Sequence, residues 1–215
     1  MRKIAAKLGI AFICVFLGLA AAVHFAAILG EMPGRFDALT GTRLFAVACQ
    51  TIFYCLVLWF TLIRRPALRR AAGWRPRLVA AVGAYAIFGF GLLPPAHGLP
   101  LACQIAAAIL LLLSTALRAI VLPCLGRSFS LMSEARGLVT GGPYRFVRHP
   151  LYLVEELAAI AVFIETMSLA AAALLAVQTA FQIRRILNEE AVLEESFPAY
   201  ARYKAKTARL IPGVW

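Results

Sequence analysis

The residues able to do chemistry fall in two short stretches. The first runs from Gly141 to Glu156 and reads Gly-Gly-Pro-Tyr-Arg-Phe-Val-Arg-His-Pro-Leu-Tyr-Leu-Val-Glu-Glu. Gly141-Gly142-Pro143 is a turn signal. Pro150 suits the first turn of a helix, where its missing N–H would be unpaired anyway. That places His149 near the N-cap, with Tyr152, Glu155 and Glu156 one to two turns further in. The free N–H groups of a helix N-terminus favour an anion, and Arg145 and Arg148 add positive charge. The same residues also suit an anchor at lipid-headgroup level. Composition does not choose between anchor and binding site.

The second stretch runs from Arg184 to Glu195. Arg185 and Glu189 are four residues apart and can pair on a helix. Glu189, Glu190, Glu194 and Glu195 place four glutamates in seven positions, in a chain with 10 acidic residues. Glu189 and Glu190 suit the cationic end of a cofactor or substrate, whereas Glu194 and Glu195 read as a solvated face.

The elements that position these stretches follow from composition. The 215 residues are 62% hydrophobic and 15% charged, with a mean hydropathy of +0.83. Soluble domains carry about 25% charged residues, so composition argues against a soluble globule, and against disorder and a secreted disulfide scaffold. The net charge of +12 on so apolar a chain reads as membrane orientation, not nucleic-acid binding. Leu8–Leu29, Leu44–Ile63, Leu78–Pro94 and Leu101–Leu122 approach the length needed to cross a hydrocarbon core. The first is too long for a signal peptide's apolar run. Arg118 stands near the end of the fourth, where it can snorkel to the interface. The run from Leu151 to Ile183 fits two short crossings or a re-entrant hairpin, turning at Glu165–Ser168 with Ser168 as a cap. Loop 64–77 holds six arginines and loop 95–100 holds no Lys, Arg, Asp or Glu, so the positive-inside rule puts both termini in the cytoplasm.

The expected fold is therefore all-α: a polytopic membrane bundle of about six helices with a C-terminal cytosolic helical tail. Its last membrane helix continues to about Phe197, with Ile186, Val192, Leu193 and Phe197 near one face, and Pro198 interrupts it. Residues 1–122 form a four-helix region and residues 123–215 the functional core of one continuous domain. Cys14, Cys49, Cys55, Cys103 and Cys124 lack metal-ligand spacing and read as small buried hydrophobes, so no metal site is expected. Gly89-Phe90-Gly91 reads as helix packing, not a nucleotide loop.

The pattern Leu138-Val139-Thr140-Gly141-Gly142-Pro143-Tyr144, followed by Arg148-His149-Pro150-Leu151-Tyr152, resembles the isoprenylcysteine carboxyl methyltransferase family and its bacterial relatives. So does Arg185-x-x-x-Glu189-Glu190-x-x-Leu193-x-x-x-Phe197-x-x-Tyr200-x-x-Tyr203, ending in Arg209-x-Ile211-Pro212. The resemblance covers about residues 125–212. Val154 and Pro198 replace glycines usual in the family. The resemblance implies an integral-membrane enzyme using S-adenosylmethionine. By position, Val139, Thr140, Tyr144, Arg148, His149, Tyr152, Glu189 and Glu190 would line the cofactor site. Arg185 would sit at the reacting centre, and Glu189 would be a second catalytic residue.

This chemistry agrees with the residues. Methyl transfer from a sulfonium is an in-line displacement that needs mainly orientation. A carboxylate acceptor needs no base, only a cationic clamp such as Arg185. A hydroxyl or amine acceptor needs a proton acceptor, for which Glu189 or His149 would serve. The partners implied are a lipophilic or lipid-modified substrate and membrane lipids, with no nucleic acid. The location is a multi-pass membrane protein, in the inner or plasma membrane if the source is bacterial. A phospholipid N-methyltransferase, a sterol-type membrane reductase and a non-enzymatic transporter are the alternatives. The paired glutamates and short tail favour the methyltransferase over the reductase. The nearly charge-free early spans argue against the transporter.

Overall fold

The computed structural model describes residues 38–215 together with the single positions 15, 18, 19, 22 and 26. The expected span Leu8–Leu29 and the N-terminal part of the topology lie outside the described residues. The described chain is mainly helical: α1 (Ala38–Ile63), α2 (Arg75–Tyr85), α3 (Leu101–Leu125), α4 (Pro150–Thr166), α5 (Leu169–Ser196) and α6 (Tyr200–Lys206). Two two-residue strands, β1 (Arg69–Arg70) and β2 (Glu134–Ala135), pair antiparallel. This small clasp amends the all-α expectation. It forms because the segment after α1 runs beside the segment after α3, where backbone groups outside helices must find partners. Leu68 N–H donates to the Ala135 carbonyl at 2.8 Å and Ala71 N–H to the Ser133 carbonyl at 3.0 Å.

Helix α3 is the described helix both long and apolar enough to cross a membrane, over Leu101–Ser128. Its 25 residues extend about 37 Å at 1.5 Å per residue, more than the ~30 Å hydrocarbon thickness. Leu101, Ile105, Ile109, Leu113 and Ile120 are exposed along it. That spacing makes an apolar stripe on one outer face, as a lipid-facing helix requires. The opposite side packs on α1 and α4, burying Ala107, Val121 and Leu122. Thr51–Ile63, at the end of α1, is apolar but shorter.

The expected third span is less regular than its composition suggests. Only Arg75–Tyr85 is α-helical, and Ala86–Leu92 tightens into a 3-10 helix. Contact with α5 accompanies the change. A Cβ at Gly89 would lie 3.0 Å from a Leu174 methyl, and Phe90 is fully buried. The Gly-Phe-Gly motif is thus a packing device, as expected.

The hairpin forms where the sequence places it. His149 is the N-cap residue of α4 and Pro150 its first residue, although no side chain caps that end. Ser168 Oγ caps α5 by accepting the Ala171 N–H at 3.1 Å. Ala96 N–H donates to the Glu165 carbonyl at 2.9 Å, so loop 95–100 lies at the hairpin turn. The reactive stretches are gathered at the opposite end. Two expectations need correction. Arg118 does not snorkel outward: it is buried, with its guanidinium 5.1 Å from the Phe53 ring centre, because that face of α3 is covered by neighbouring helices. Cys55 and Cys124 are exposed, not buried, because they fall on outward faces of their helices.

Filling the space at Gly89 tests the α5 contact. Gly89→Val should lower the melting midpoint in detergent by overpacking, which typically costs about 1–3 kcal/mol. Adding Leu174→Ala should recover part of the loss. A double variant no more stable than Gly89→Val would show that Leu174 is not the obstructing group.

Candidate functional site

The site is built around a buried carboxylate. Glu190, on α5, is 3% exposed. Its Oε1 accepts from Arg148 Nε at 2.8 Å and lies 3.3 Å from His149 Nε2. Its Oε2 accepts from Arg209 Nε at 3.0 Å. Burial alone would push this carboxyl up, but hydrogen bonds from His149, Arg148 and Arg209 hold it well below the usual carboxylate range. Three chain segments meet here: the entry to α4, the C-terminal part of α5 and the tail.

The tail is fastened by backbone as well. Arg148 N–H donates to the Ala208 carbonyl at 2.8 Å and His149 N–H to the Arg209 carbonyl at 3.0 Å. The Arg148 guanidinium also donates to the carbonyls of Lys204, at 2.9 Å, and Thr207. Tyr203 donates its hydroxyl to the Tyr144 carbonyl at 2.6 Å. Burial pushes the Tyr203 hydroxyl up to about 12, so it remains a donor at physiological pH.

Beside this knot lies a narrow cleft. Its lining includes Tyr144, Arg148, His149, Tyr152, Arg185 and Glu189. The imidazole of His149 stacks on Tyr152, with centroids 5.4 Å apart and planes 15° from parallel. On Tyr152 also lies the Arg185 guanidinium, 4.5 Å from the ring centre, and the Tyr152 hydroxyl donates to Glu189 Oε2. The cleft encloses only about 40 Å³, room for about one water molecule. A nucleoside cofactor therefore requires the lining to open.

Arg185 is 1% exposed. Its partners are Glu155 Oε2 at 3.3 Å, Gln182 Oε1 at 3.4 Å and the Leu131 carbonyl at 3.2 Å. The expected Arg185–Glu189 pair does not form. Glu155 comes from α4 across the hairpin interface, and Tyr152 takes Glu189 instead. Gln182 completes the arrangement by donating to Glu155 Oε2 at 2.7 Å. Glu155 was seen in the sequence only as part of the first stretch, and Gln182 was not singled out. The available signal was a glutamine one turn before Arg185, with Gln178 and Thr179 a further turn back, in a mainly apolar run.

Of the sequence-derived candidates, Tyr144, Arg148, His149, Tyr152, Arg185, Glu189 and Glu190 come together. Val139 and Thr140 do not join them: Thr140 is exposed and Val139 lines a second cavity. Glu194 and Glu195 are exposed and pair with Lys204 and Arg69. Among the described residues no group of three or more His, Cys, Asp or Glu is placed to hold a metal ion.

Two features fit a bound organic cofactor. The buried hydroxyl of Tyr144 and the buried Nε of Arg185 have no hydrogen-bond partner, although buried polar groups are normally satisfied. Both residues line the cleft. Residues 107–195 match the isoprenylcysteine carboxyl methyltransferase family. This part of the chain is ICMT-like. The matched segment contains α4, nearly all of α5 and every cleft residue singled out above. The chain is also similar to the cobalt-zinc-cadmium resistance protein CzcN of Cupriavidus metallidurans, with 37% identity over 76 residues. That alignment spans 35% of each protein, so the chain covers about a third of the length of the curated relative.

The Glu190 knot makes a pH prediction. A carboxylate whose folded pKa is depressed contributes stability above its unfolded pKa and loses that contribution as pH falls toward the folded value. Acidification below about pH 4.5 should therefore lower the melting midpoint of the native protein more steeply than that of Glu190→Gln. At neutral pH the substitution should itself destabilise, since removing one partner of a buried ion pair costs about 3–5 kcal/mol. Parallel acid melting curves would contradict the assignment.

Proposed function

We propose that this chain transfers a methyl group from S-adenosylmethionine to the polar end of a lipophilic acceptor at the membrane surface. The observation that carries the reading is the buried Arg185 guanidinium, fixed beside Tyr152 and Glu189 in an ICMT-like segment. The ICMT family consists of membrane methyltransferases, and its members use this cofactor. The proposed setting is a multi-pass membrane domain with both termini in the cytoplasm. It is supported by the apolar face of α3 and the arginine-rich segments at one end of the bundle.

The cofactor would supply an electrophilic methyl on a sulfonium. This chain would supply the surroundings. The carboxylate of Glu189 and the faces of Tyr152 and His149 present negative charge and π-density to a cation. The hydroxyl of Tyr144 is available for a hydrogen bond to the cofactor. Arg148 and Arg209 hold Glu190 in place and with it the tail that closes one side. Arg185 then has one task, to orient the acceptor. Its rigid fork matches an oxyanion, while Glu155 and Gln182 take two of its directions and fix the rest. A carboxylate acceptor needs no proton removed. For a hydroxyl or amine, Glu189 is the proton acceptor within the cleft. Phospholipid amines remain the alternative acceptor class, since the same clamp can hold a neighbouring headgroup phosphate.

The test compares neighbours on one helix. Arg185→Lys should retain cofactor affinity but lose at least tenfold in transfer of labelled methyl into the lipid extract of membranes. A point charge cannot reproduce the fork. Arg184, which is exposed, should tolerate lysine. Near-native transfer by both variants would remove the catalytic role and leave Arg185 as a packing residue. Lack of any cofactor-dependent label in the native protein would remove the methyltransferase reading itself.

A further inference from the structure

A second and much larger cavity, about 910 Å³, lies where α1 and α3 end. It shares Leu125 and Ser128 with the narrow cleft. Its walls are largely apolar, from Leu68, Leu125, Leu138, Val139 and Phe197, and Arg65, Arg127 and Arg136 line it as well. Among the described residues no acidic one lines it.

Main-chain groups tie the segments of the three arginines to one another. Arg65 N–H donates to the Arg127 carbonyl at 2.8 Å. Arg127 Nε donates to the Ile63 carbonyl at 3.1 Å, and Arg136 donates to the Arg65 carbonyl. Glu134 pairs with Arg136, but it is shared with Arg70. Glu195 is taken by Arg69. Arg65 and Arg127 are both exposed and have no carboxylate partner among the described residues. Arg136 is buried, and its Nε has no partner. Like charges around one cavity repel, and most strongly where one is desolvated. An anion seated among them would relieve that repulsion and satisfy the buried Nε.

We propose that this cavity binds a phosphate-bearing amphiphile: the headgroup of an acidic membrane phospholipid on Arg65, Arg127 and Arg136, with its apolar part along Leu68, Leu138 and Phe197. Guanidinium groups suit phosphate because they offer paired donors in a plane. The apolar walls favour a lipid over free phosphate, which would gain nothing from them. The place fits as well. The cavity opens where two apolar helices end together, at the level where a headgroup lies when those helices sit in a bilayer. The proposal stands independently of methyl transfer.

The experiment uses the full chain, purified and delipidated in a neutral detergent. Phosphatidylglycerol, phosphatidylcholine, inorganic phosphate and S-adenosylmethionine are titrated separately while thermal midpoint and bound mass are followed. Phosphatidylglycerol should bind saturably and raise the midpoint, and phosphatidylcholine and inorganic phosphate should do so at least tenfold more weakly. Arg65→Gln with Arg127→Gln should weaken phosphatidylglycerol binding at least tenfold and leave S-adenosylmethionine binding unchanged. Arg65→Gln alone, which breaks no side-chain hydrogen bond among the described residues, should show a smaller loss and serves if the double variant fails to fold. Equal response to the two lipids, or unchanged lipid affinity in the variants, would overturn the proposal. So would inorganic phosphate reproducing the full effect. Displacement of the lipid by S-adenosylmethionine, one for one, would also overturn it by assigning the cavity to the cofactor.

Discussion

The Glu190 carboxylate is the constraint on which the functional end of the molecule depends. A buried carboxylate without partners is too costly to keep ionised. Here Arg148, His149 and Arg209 supply donors from two separate segments. Each partner is itself desolvated or tied down, so none can leave without stranding a charge. The knot sets the position of the tail, and the tail's carbonyls in turn hold Arg148. His149 then presents its ring to Tyr152, and Tyr152 carries Arg185 on its face. One ion-pair cluster thus fixes the aromatic platform beside it.

Arg185 shows how the apolar surroundings shape the site. A guanidinium buried to 1% exposure cannot shed its proton, so its charge must be met within reach. Glu155 meets part of it at 3.3 Å from α4. The Leu131 carbonyl and Gln182 meet more, and one nitrogen is left over. An arginine satisfied on several sides and open on another is a directed group. In an apolar medium its remaining donor capacity is strong, because water does not compete for it. The proposed role in acceptor orientation follows from that incompleteness.

The clasp between β1 and β2 has a comparable role on the other side of Leu125 and Ser128. It holds arginine-bearing segments side by side through main-chain bonds, which do not weaken when like charges approach. Helical packing alone would let those charges separate. The result is two compartments of opposite character at one end of the bundle. One is narrow, with carboxylates and aromatic rings. The other is wide, with apolar walls and three arginines, of which Arg136 alone has a carboxylate partner among the described residues.

Much of this was legible from residue order. Pro150 marked the start of α4, Ser168 the cap of α5, and Gly89-Phe90-Gly91 a close contact, because each acts through local backbone geometry or size. The gathering of His149, Tyr152, Arg185, Glu189 and Glu190 was legible from a hairpin that returns the chain to its own starting level, and from the family pattern. Partner choice was not. Arg185 and Glu189 are at pairing distance along one helix, yet Arg185 takes Glu155 and Glu189 takes Tyr152, since across-helix partners are closer once α4 and α5 pack. Arg118 and Cys124 exchanged their expected burial for the same reason: the turn of α3 decides which side meets protein and which meets the exterior. Val139 and Thr140 parted from the cleft because a two-residue strand pairing, too short to leave a periodic signal, redirects the chain before them. Sequence determined the start of α4, the turn of the hairpin and the cap of α5, which depend on neighbours along the chain. The tertiary structure alone decided which charge faces which, because that depends on distances between segments far apart in sequence.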